Sequence, residues 1–404
     1  MDRFWHIKRI FNDKEMKFIN ISSIEQKIFG RNSRFKLKKN QQNELKKNLN
    51  KSRILIFGAA GSIGKVFSIK LKNYNISKII FLDKDENSLT DLNREINLKY
   101  KKKIAKDFIC QDINDINIFN LLKSEKITHF FNFAALKHVR SEENFYSLKY
   151  LIKTNCISPF KLGNLNKLKS LKKIFFISTD KTVYPSSLMG CSKKIMENEL
   201  YKLKRKNRKK FVSTVRFANV AFSNGSLLKN IYNKTLANLP FGVPDLIKRY
   251  FVTHSEAGDL CFISLLNESD NSIVIPSHKT IGKQILLKDL AIKIVKLINK
   301  RPMFLKKVES AKNNVQQIIL EKGAIKGQKN KEFFHEANEK VINFNGDSRV
   351  KKINLYQNSN SKHYQLLFKK AKNPKDYLNF FSKIFNNKYL SLKSKKKIFL
   401  KNII

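Results

Sequence analysis

From Arg53 onward, short apolar runs recur along the chain, separated by longer stretches in which apolar residues return every three or four positions. The runs are Ile54–Phe57, Lys78–Leu82, Asp107–Ile109, Thr128–Phe133, Lys173–Ile177 and Val212–Phe217. A short apolar run fits a strand buried on both faces, and the intervening period fits an amphipathic helix. Strands and helices in alternation predict an α/β fold, a doubly wound parallel sheet covered by helices on both faces. Past about Phe241 the alternation becomes irregular and predicts a smaller mixed α/β portion over 241–345. Residues 1–50, rich in Lys and Asn with scattered Phe and Ile, read as a basic N-terminal arm. Residues 346–404 read as a Lys-rich C-terminal tail: from Asn360 it holds twelve Lys against one acid, Asp376.

Composition adds limits rather than direction. A chain of 404 residues with 42 % hydrophobic content can bury a large core and carry a second portion. A formal net charge of +50 points towards nucleic acid or an anionic surface. The lysines, however, are spread along the whole chain beside abundant Asn, Ile and Phe, the profile of A/T-rich coding. No nucleic-acid partner is therefore expected. Cys110, Cys156, Cys191 and Cys261 are far apart, so neither a disulfide framework nor a metal site is expected. No apolar run approaches the roughly 20 residues that span a bilayer, and no apolar signal core opens the chain. The expectation is a cytoplasmic protein.

The first strand runs directly into Gly58-Ala59-Ala60-Gly61-Ser62-Ile63-Gly64 and then into a helical period. Gly58 permits a tight turn, Gly61 lets the backbone approach a pyrophosphate, and Gly64 lets the helix lie close on the strand. The helix N-terminus then offers N–H groups and a positive dipole to phosphate. Residues 51–240 are accordingly read as a Rossmann-type NAD(P)-binding domain, with 241–345 as its substrate-binding portion. Asp83 ends the second strand, about 20 residues past the turn, where a carboxylate can accept from the adenosine ribose. Lys84 beside it leaves NAD against NADP open. Asp112, after the third strand, faces the adenine or caps its own turn. Ala134 and Ala135, after the fourth, are small enough for the cofactor ribose to lie against the backbone.

Chemistry in such folds sits at the carboxyl ends of the strands. After the fifth comes Ser178-Thr179-Asp180-Lys181, with Lys193 twelve residues beyond Lys181 on a predicted helix. In isolation a helix cap with a solvated ion pair explains the segment; after a buried strand of a dinucleotide fold it reads as catalytic.

Six motifs in order carry a resemblance. They are Gly58 to Gly64, Ala135-Leu136-Lys137-His138-Val139, Ser178-Thr179-Asp180-Lys181, Met189-Gly190-Cys191-Ser192-Lys193, Arg216-Phe217-Ala218-Asn219-Val220 and Lys248-Arg249-Tyr250-Phe251-Val252-Thr253. Together they resemble the polysaccharide-biosynthesis nucleotide-sugar 4,6-dehydratases, extended short-chain dehydrogenase/reductases whose usual substrate is UDP-N-acetylglucosamine. The likeness spans about 52–260, continues faintly through Gly327 to Phe334, and touches the opening Met1-Asp2-Arg3-Phe4. It implies oxidation of the sugar at C4 by NAD(P)+, loss of water across C5 and C6, and return of the hydride to C6. It also implies homo-oligomers. Thr179 would donate to the C4 oxygen, Lys181 would take the C5 proton and Asp180 would protonate the departing C6 hydroxyl. Lys193 would hold the nicotinamide ribose, and its proximity to Lys181 with partial burial would lower the Lys181 pKa. Met189 stands where most short-chain dehydrogenases carry Tyr, a substitution that also occurs within the resembled family. Tyr184 and Ser187 stand where that family usually shows Asn, and Tyr184 is read as a packing residue.

Lys137, His138, Asn219 and Arg249 are the candidate substrate contacts, Arg249 because a guanidinium pairs bidentately with diphosphate oxygens. Arg216 reads equally as a substrate contact or a structural ion pair. Two other readings stay open: a nucleotide-sugar 4-epimerase or reductase on the same scaffold, and a basic binding protein without enzymatic activity.

Overall fold

The computed structural model describes residues 21–100, 104–157, 165, 167–206, 210–267, 271–310, 314–321, 331–355 and 370–385. Met1-Asp2-Arg3-Phe4, Gly327–Asn330 and most of the expected tail lie outside them. Six strands match the apolar runs to within a few residues: β1 (Ser52–Phe57), β2 (Ile76–Asp83), β3 (Ala105–Cys110), β4 (His129–Asn132), β5 (Lys173–Ile177) and β6 (Phe211–Val215). Then come β7 (Asn219–Val220), β8 (Phe241–Pro244), β9 (Lys248–Arg249), β10 (Phe251–Val252), β11 (Ser272–Pro276) and β12 (Ile285–Leu286). The last are β13 (Arg301–Leu305), β14 (Val315–Glu321), β15 (Val341–Asn343) and β16 (Val350–Asn354).

The main sheet runs β15-β16-β11-β6-β5-β4-β1-β2-β3. β1 to β6 and β11 are parallel, and the strand order reverses between β1 and β4, so the carboxyl ends of both strands open onto one crevice. Residues beyond 240 thus complete the sheet: β11 pairs with β6, and antiparallel β16 pairs with β11. The expected tail boundary at 345/346 cuts into this structure. In β16 only Val350 and Ile353 are buried while Lys351 and Lys352 stand partly exposed, a half-buried pattern that Lys-rich composition conceals.

The described part of the expected arm, residues 21–50, is also packed. Helices α1 (Ile21–Phe29) and α2 (Lys39–Asn48) each bury one face. Phe35, Leu45 and Leu49 join the main core. Arg34 forms a 2.6 Å ion pair with the fully buried Glu256. Of four further helices, α3 (Ser62–Lys70), α4 (Phe145–Ile152), α5 (Leu188–Lys206) and α6 (Leu227–Leu236), all but α4 line the crevice, and α4 packs against α5. A final helix, α7 (Pro374–Ile384), buries Tyr377, Phe380, Phe381 and Ile384 against Leu148, Leu151, Met189 and Ile195 of α4 and α5. Part of the expected tail therefore braces the helix that carries Met189 and Lys193. Among the described residues no helix is long and apolar enough to cross a membrane.

Candidate active site

The glycine turn between β1 and α3 is shaped by close approach. Gly58 has φ +68°, and a Cβ there would stand 2.5 Å from the Ala134 nitrogen. A Cβ on Gly64 would lie 2.0 Å from the Gly58 carbonyl oxygen, so helix and turn touch only because that atom is missing. Gly61 caps α3, whose first N–H groups face the crevice. This cradle suits a dinucleotide pyrophosphate. Asp83 accepts from the Ala60 N–H at 3.0 Å and so ties the end of β2 to the turn. Asp112 accepts from Asn114 N–H at 2.8 Å and from the Tyr150 phenol, bracing its own turn.

A cleft of about 1030 Å³ opens at the carboxyl edge of the sheet. Gly58, Gly61, Ser62, Ile63 and Gly64 line one part of its wall; Ala135, Lys137, His138, Thr179, Asp180, Lys181, Met189, Lys193, Asn219 and Arg249 line the rest. Asp83, Asp112 and Ala134 are not on that wall. Ala134 instead donates its N–H to Asn132 Oδ1 at 2.9 Å.

Thr179 is the cap of a short turn after β5, and its hydroxyl donates to Asp180 Oδ1 at 2.9 Å. Lys181 Nζ stands 3.3 Å from Asp180 Oδ1 and 3.3 Å from Asn219 Oδ1. Burial alone would lower its proton affinity, but the charges of Asp180 and Glu332 prevail and hold the ammonium above its ordinary value. The expectation of a lowered Lys181 pKa is corrected accordingly. Lys193 Nζ contacts Met196 Sδ at 3.0 Å, and burial brings Lys193 itself down to about 8. Lys137, bonded to Ser223 Oγ at 3.1 Å, is likewise lowered to about 8, by burial and then by Lys181 and Lys229. His138 packs on Gly225, where a Cβ would meet its ring at 2.6 Å.

Arg216 is resolved as structural: it is fully buried and forms 2.7 Å ion pairs with Glu197 and Glu339. Tyr184, with φ +43°, accepts from Ala337 N–H at 2.6 Å and sets its ring edge-on to Phe333. It clamps the segment 331–340 and does not line the cleft. Ser187 does line it, its hydroxyl accepting from Gly190 N–H at 3.1 Å.

Two carboxyl groups escaped the sequence reading. Buried Glu142 accepts from the Met189 N–H at 2.8 Å at the start of α5, and burial pushes it up to about 7. Nothing in the local sequence marks it. Glu332 lies on the cleft wall, accepting from Asn219 Nδ2 at 2.8 Å and from Tyr250 N–H at 2.9 Å, with Arg249 Nε at 3.3 Å. Its signal was the faint motif Gly327 to Phe334, which contains it. Among the described residues no cluster of His, Cys, Asp and Glu is arranged to hold a metal ion.

A doubly wound sheet with a glycine turn at its reversal point, and a hydroxyl, a carboxylate and an ammonium across the same cleft, is the architecture of the extended short-chain dehydrogenase/reductases. The model of the polysaccharide biosynthesis protein family matches residues 54–353, and the chain belongs to that family. It is 28 % identical over 316 residues to the capsular polysaccharide biosynthesis protein CapD of Staphylococcus aureus, covering 74 % of this chain and 52 % of the relative. The chain thus spans about half of that relative's length. It is 28 % identical over 244 residues to a UDP-glucose 4-epimerase of Rickettsia bellii (59 % and 69 % covered). Against a UDP-N-acetylglucosamine 4,6-dehydratase (inverting) of Campylobacter jejuni the identity is 27 % over 198 residues (47 % and 57 % covered). Among solved structures, Pen from Bacillus thuringiensis shares the fold with a TM-score of 0.62 at 20 % identity, covering 76 % of this chain and 89 % of that one.

Proposed function

We propose that the chain is an NAD(P)-dependent nucleotide-sugar 4,6-dehydratase of surface-polysaccharide synthesis, acting in the cytoplasm on UDP-N-acetylglucosamine. The observation that carries this reading is the Thr179–Asp180–Lys181 cluster, an acid and a base in direct contact on the wall of one cleft. Gly58, Gly61, Ser62, Ile63 and Gly64 would hold the dinucleotide, with Asp83 supporting the turn and Lys193 at the nicotinamide end. When bound, NAD(P)+ supplies a hydride acceptor for C4 that later returns the hydride to C6.

The chain's own residues supply the proton chemistry. Loss of one proton from Lys181 Nζ to solvent leaves a neutral amine beside Asp180, and the C4 hydroxyl proton passes through the Thr179 hydroxyl to Asp180, making it a carboxylic acid. The amine removes the C5 proton, and the acid protonates the departing C6 hydroxyl. Once the hydride has returned to C6, the Lys181 ammonium gives a proton back to C5, so that the neutral amine and the Asp180 carboxylate are restored and one water has been lost. Thr179, donating to Asp180, accepts from the C4 hydroxyl and so carries its proton away, while Arg249 and Asn219 orient the substrate.

The epimerase relative favours a second reading, a nucleotide-sugar 4-epimerase. Against it stands Met189, whose buried thioether cannot relay a proton. The test is incubation with UDP-N-acetylglucosamine and NAD+ or NADP+, followed by product mass. Loss of one water supports the dehydratase; an unchanged mass with altered C4 stereochemistry supports the epimerase.

A further inference from the structure

The carboxylate of Glu332 reaches the cleft from outside the sheet, on a segment anchored from behind. Tyr184 holds that segment at Glu336 and Ala337, Lys194 pairs with Glu336 at 3.1 Å and Glu339 at 3.2 Å, and Arg216 pairs with Glu339. Such anchoring sets where Glu332 can stand. Its Oε1 meets Asn219 Nδ2 and Arg249 Nε, and its Oε2 takes the Tyr250 N–H.

We propose that Glu332 is a positioning residue for Lys181, fixing the Asn219 amide with its oxygen towards the ammonium and adding a negative charge that holds the Lys181 proton. An amide presents an acceptor on one side and donors on the other. Asn219 Nδ2 has two acceptors, Glu332 Oε1 at 2.8 Å and Tyr250 O at 3.1 Å, so Oδ1 is left facing Lys181 Nζ. A flipped amide would set NH2 against an ammonium and oxygen against a carboxylate, two repulsions in place of two attractions.

The charged groups facing this pair come from four elements. Asp180 and Lys181 belong to the turn after β5, Arg249 to β9, Glu332 to the 331–340 segment, and Lys137 to the loop after β4. Burial, followed by the charge of Asp180, pushes the Glu332 carboxyl up to about 7, against the opposing pull of Lys181 and Arg249. Glu332 therefore changes charge near neutrality. Asp180 and Glu332 are the carboxylates that raise Lys181, so removing one of them makes the amine easier to deprotonate.

The role of Lys181 as base rests on the dehydratase reading, whereas its protonation is measurable without substrate. The full chain and its Glu332→Gln and Glu332→Asp variants would be acylated at pH 8, with the rate at Lys181 read by peptide mass spectrometry against exposed Lys84 as internal reference. The expected result is an acylation rate at Lys181 about tenfold higher in Glu332→Gln, the equivalent of about one pKa unit. A smaller increase is expected in Glu332→Asp, which keeps the charge but withdraws it by one methylene. Turnover should follow, with the acidic limb of the pH profile displaced to lower pH in Glu332→Gln. An unchanged Lys181 rate in either variant, with a cooperative melt showing that it is folded, overturns the proposal. If the unmodified chain removes no water from UDP-N-acetylglucosamine, the dehydratase reading fails instead, and the acylation rates still decide the role of Glu332.

Discussion

Replacing Gly64 with Ala tests the glycine turn where its geometry is tightest. The added Cβ would sit 2.0 Å from the Gly58 oxygen, 3.0 Å from the Gly58 carbonyl carbon and 3.2 Å from the Ala59 Cα. All three neighbours are backbone, so no side chain can swing aside; the carbonyl must retreat by on the order of 1 Å to reach ordinary contact. Ala in a helix recovers roughly 0.5–1 kcal/mol over Gly, while overpacking of this kind costs about 1–3 kcal/mol. The balance is a net loss of about 1–2 kcal/mol and a melting temperature lower by on the order of 4 °C. Displacing the turn by that distance also takes its N–H groups off the pyrophosphate, weakening dinucleotide binding about 100-fold. Gly61→Ala is the control: its Cβ would lie 3.3 Å from the Gly58 oxygen, so stability should change by less than about 0.5 kcal/mol while the dinucleotide still loses its close approach. Calorimetric binding of NAD+ and NADP+ together with thermal melts reads both quantities. A Gly64→Ala protein that melts no lower than the parent and binds dinucleotide equally well refutes the packing argument.

Four further substitutions probe other parts of the account. Glu142 holds its proton more tightly when folded, at about 7 against the ordinary 4.5, so its burial penalty is absent below pH 4.5, grows as pH rises through 7 and is complete above. Glu142→Gln should therefore match the parent at pH 4.5 and exceed it at pH 8 by roughly 1–3 kcal/mol in urea melts; an equal difference at both pH values removes the argument. Asp180→Asn and Lys181→Met should each reduce turnover about 10²–10⁴-fold with NAD(P) binding retained, and full activity in either one excludes the proposed proton transfer. Arg216→Met removes the guanidinium that buried Glu197 and Glu339 share, and a loss of about 3–5 kcal/mol is expected on chemical denaturation; a loss below 1 kcal/mol means the pair is not structural.

The sheet was legible in the sequence because β1, β2, β4, β5 and β6 are buried on both faces and read as apolar runs, and the glycine turn because its spacing follows from phosphate geometry. The edge was not. β16 buries only Val350 and Ile353 amid lysines, so composition outweighed pattern, and α1, α2 and α7 were concealed in the same way. At the site, Thr179, Asp180 and Lys181 are adjacent in sequence and could be read together. Glu332 is over 150 residues from Lys181, and only the fold brings the two together. The direction of the Lys181 shift was misread because Lys193 was taken as the deciding neighbour, whereas the adjacent Asp180 first, and then Glu332 from a distant segment, hold the ammonium up.

The central claim is tested most directly by running the reaction in D2O with UDP-N-acetylglucosamine and reading product mass and proton NMR. If Lys181 removes the C5 proton and water leaves across C5 and C6, the product has lost one water, shows a new C6 methyl signal and carries deuterium at C5. A product of unchanged sugar mass, with no deuterium at C5 and an inverted C4 hydroxyl, would contradict the dehydratase and establish the epimerase.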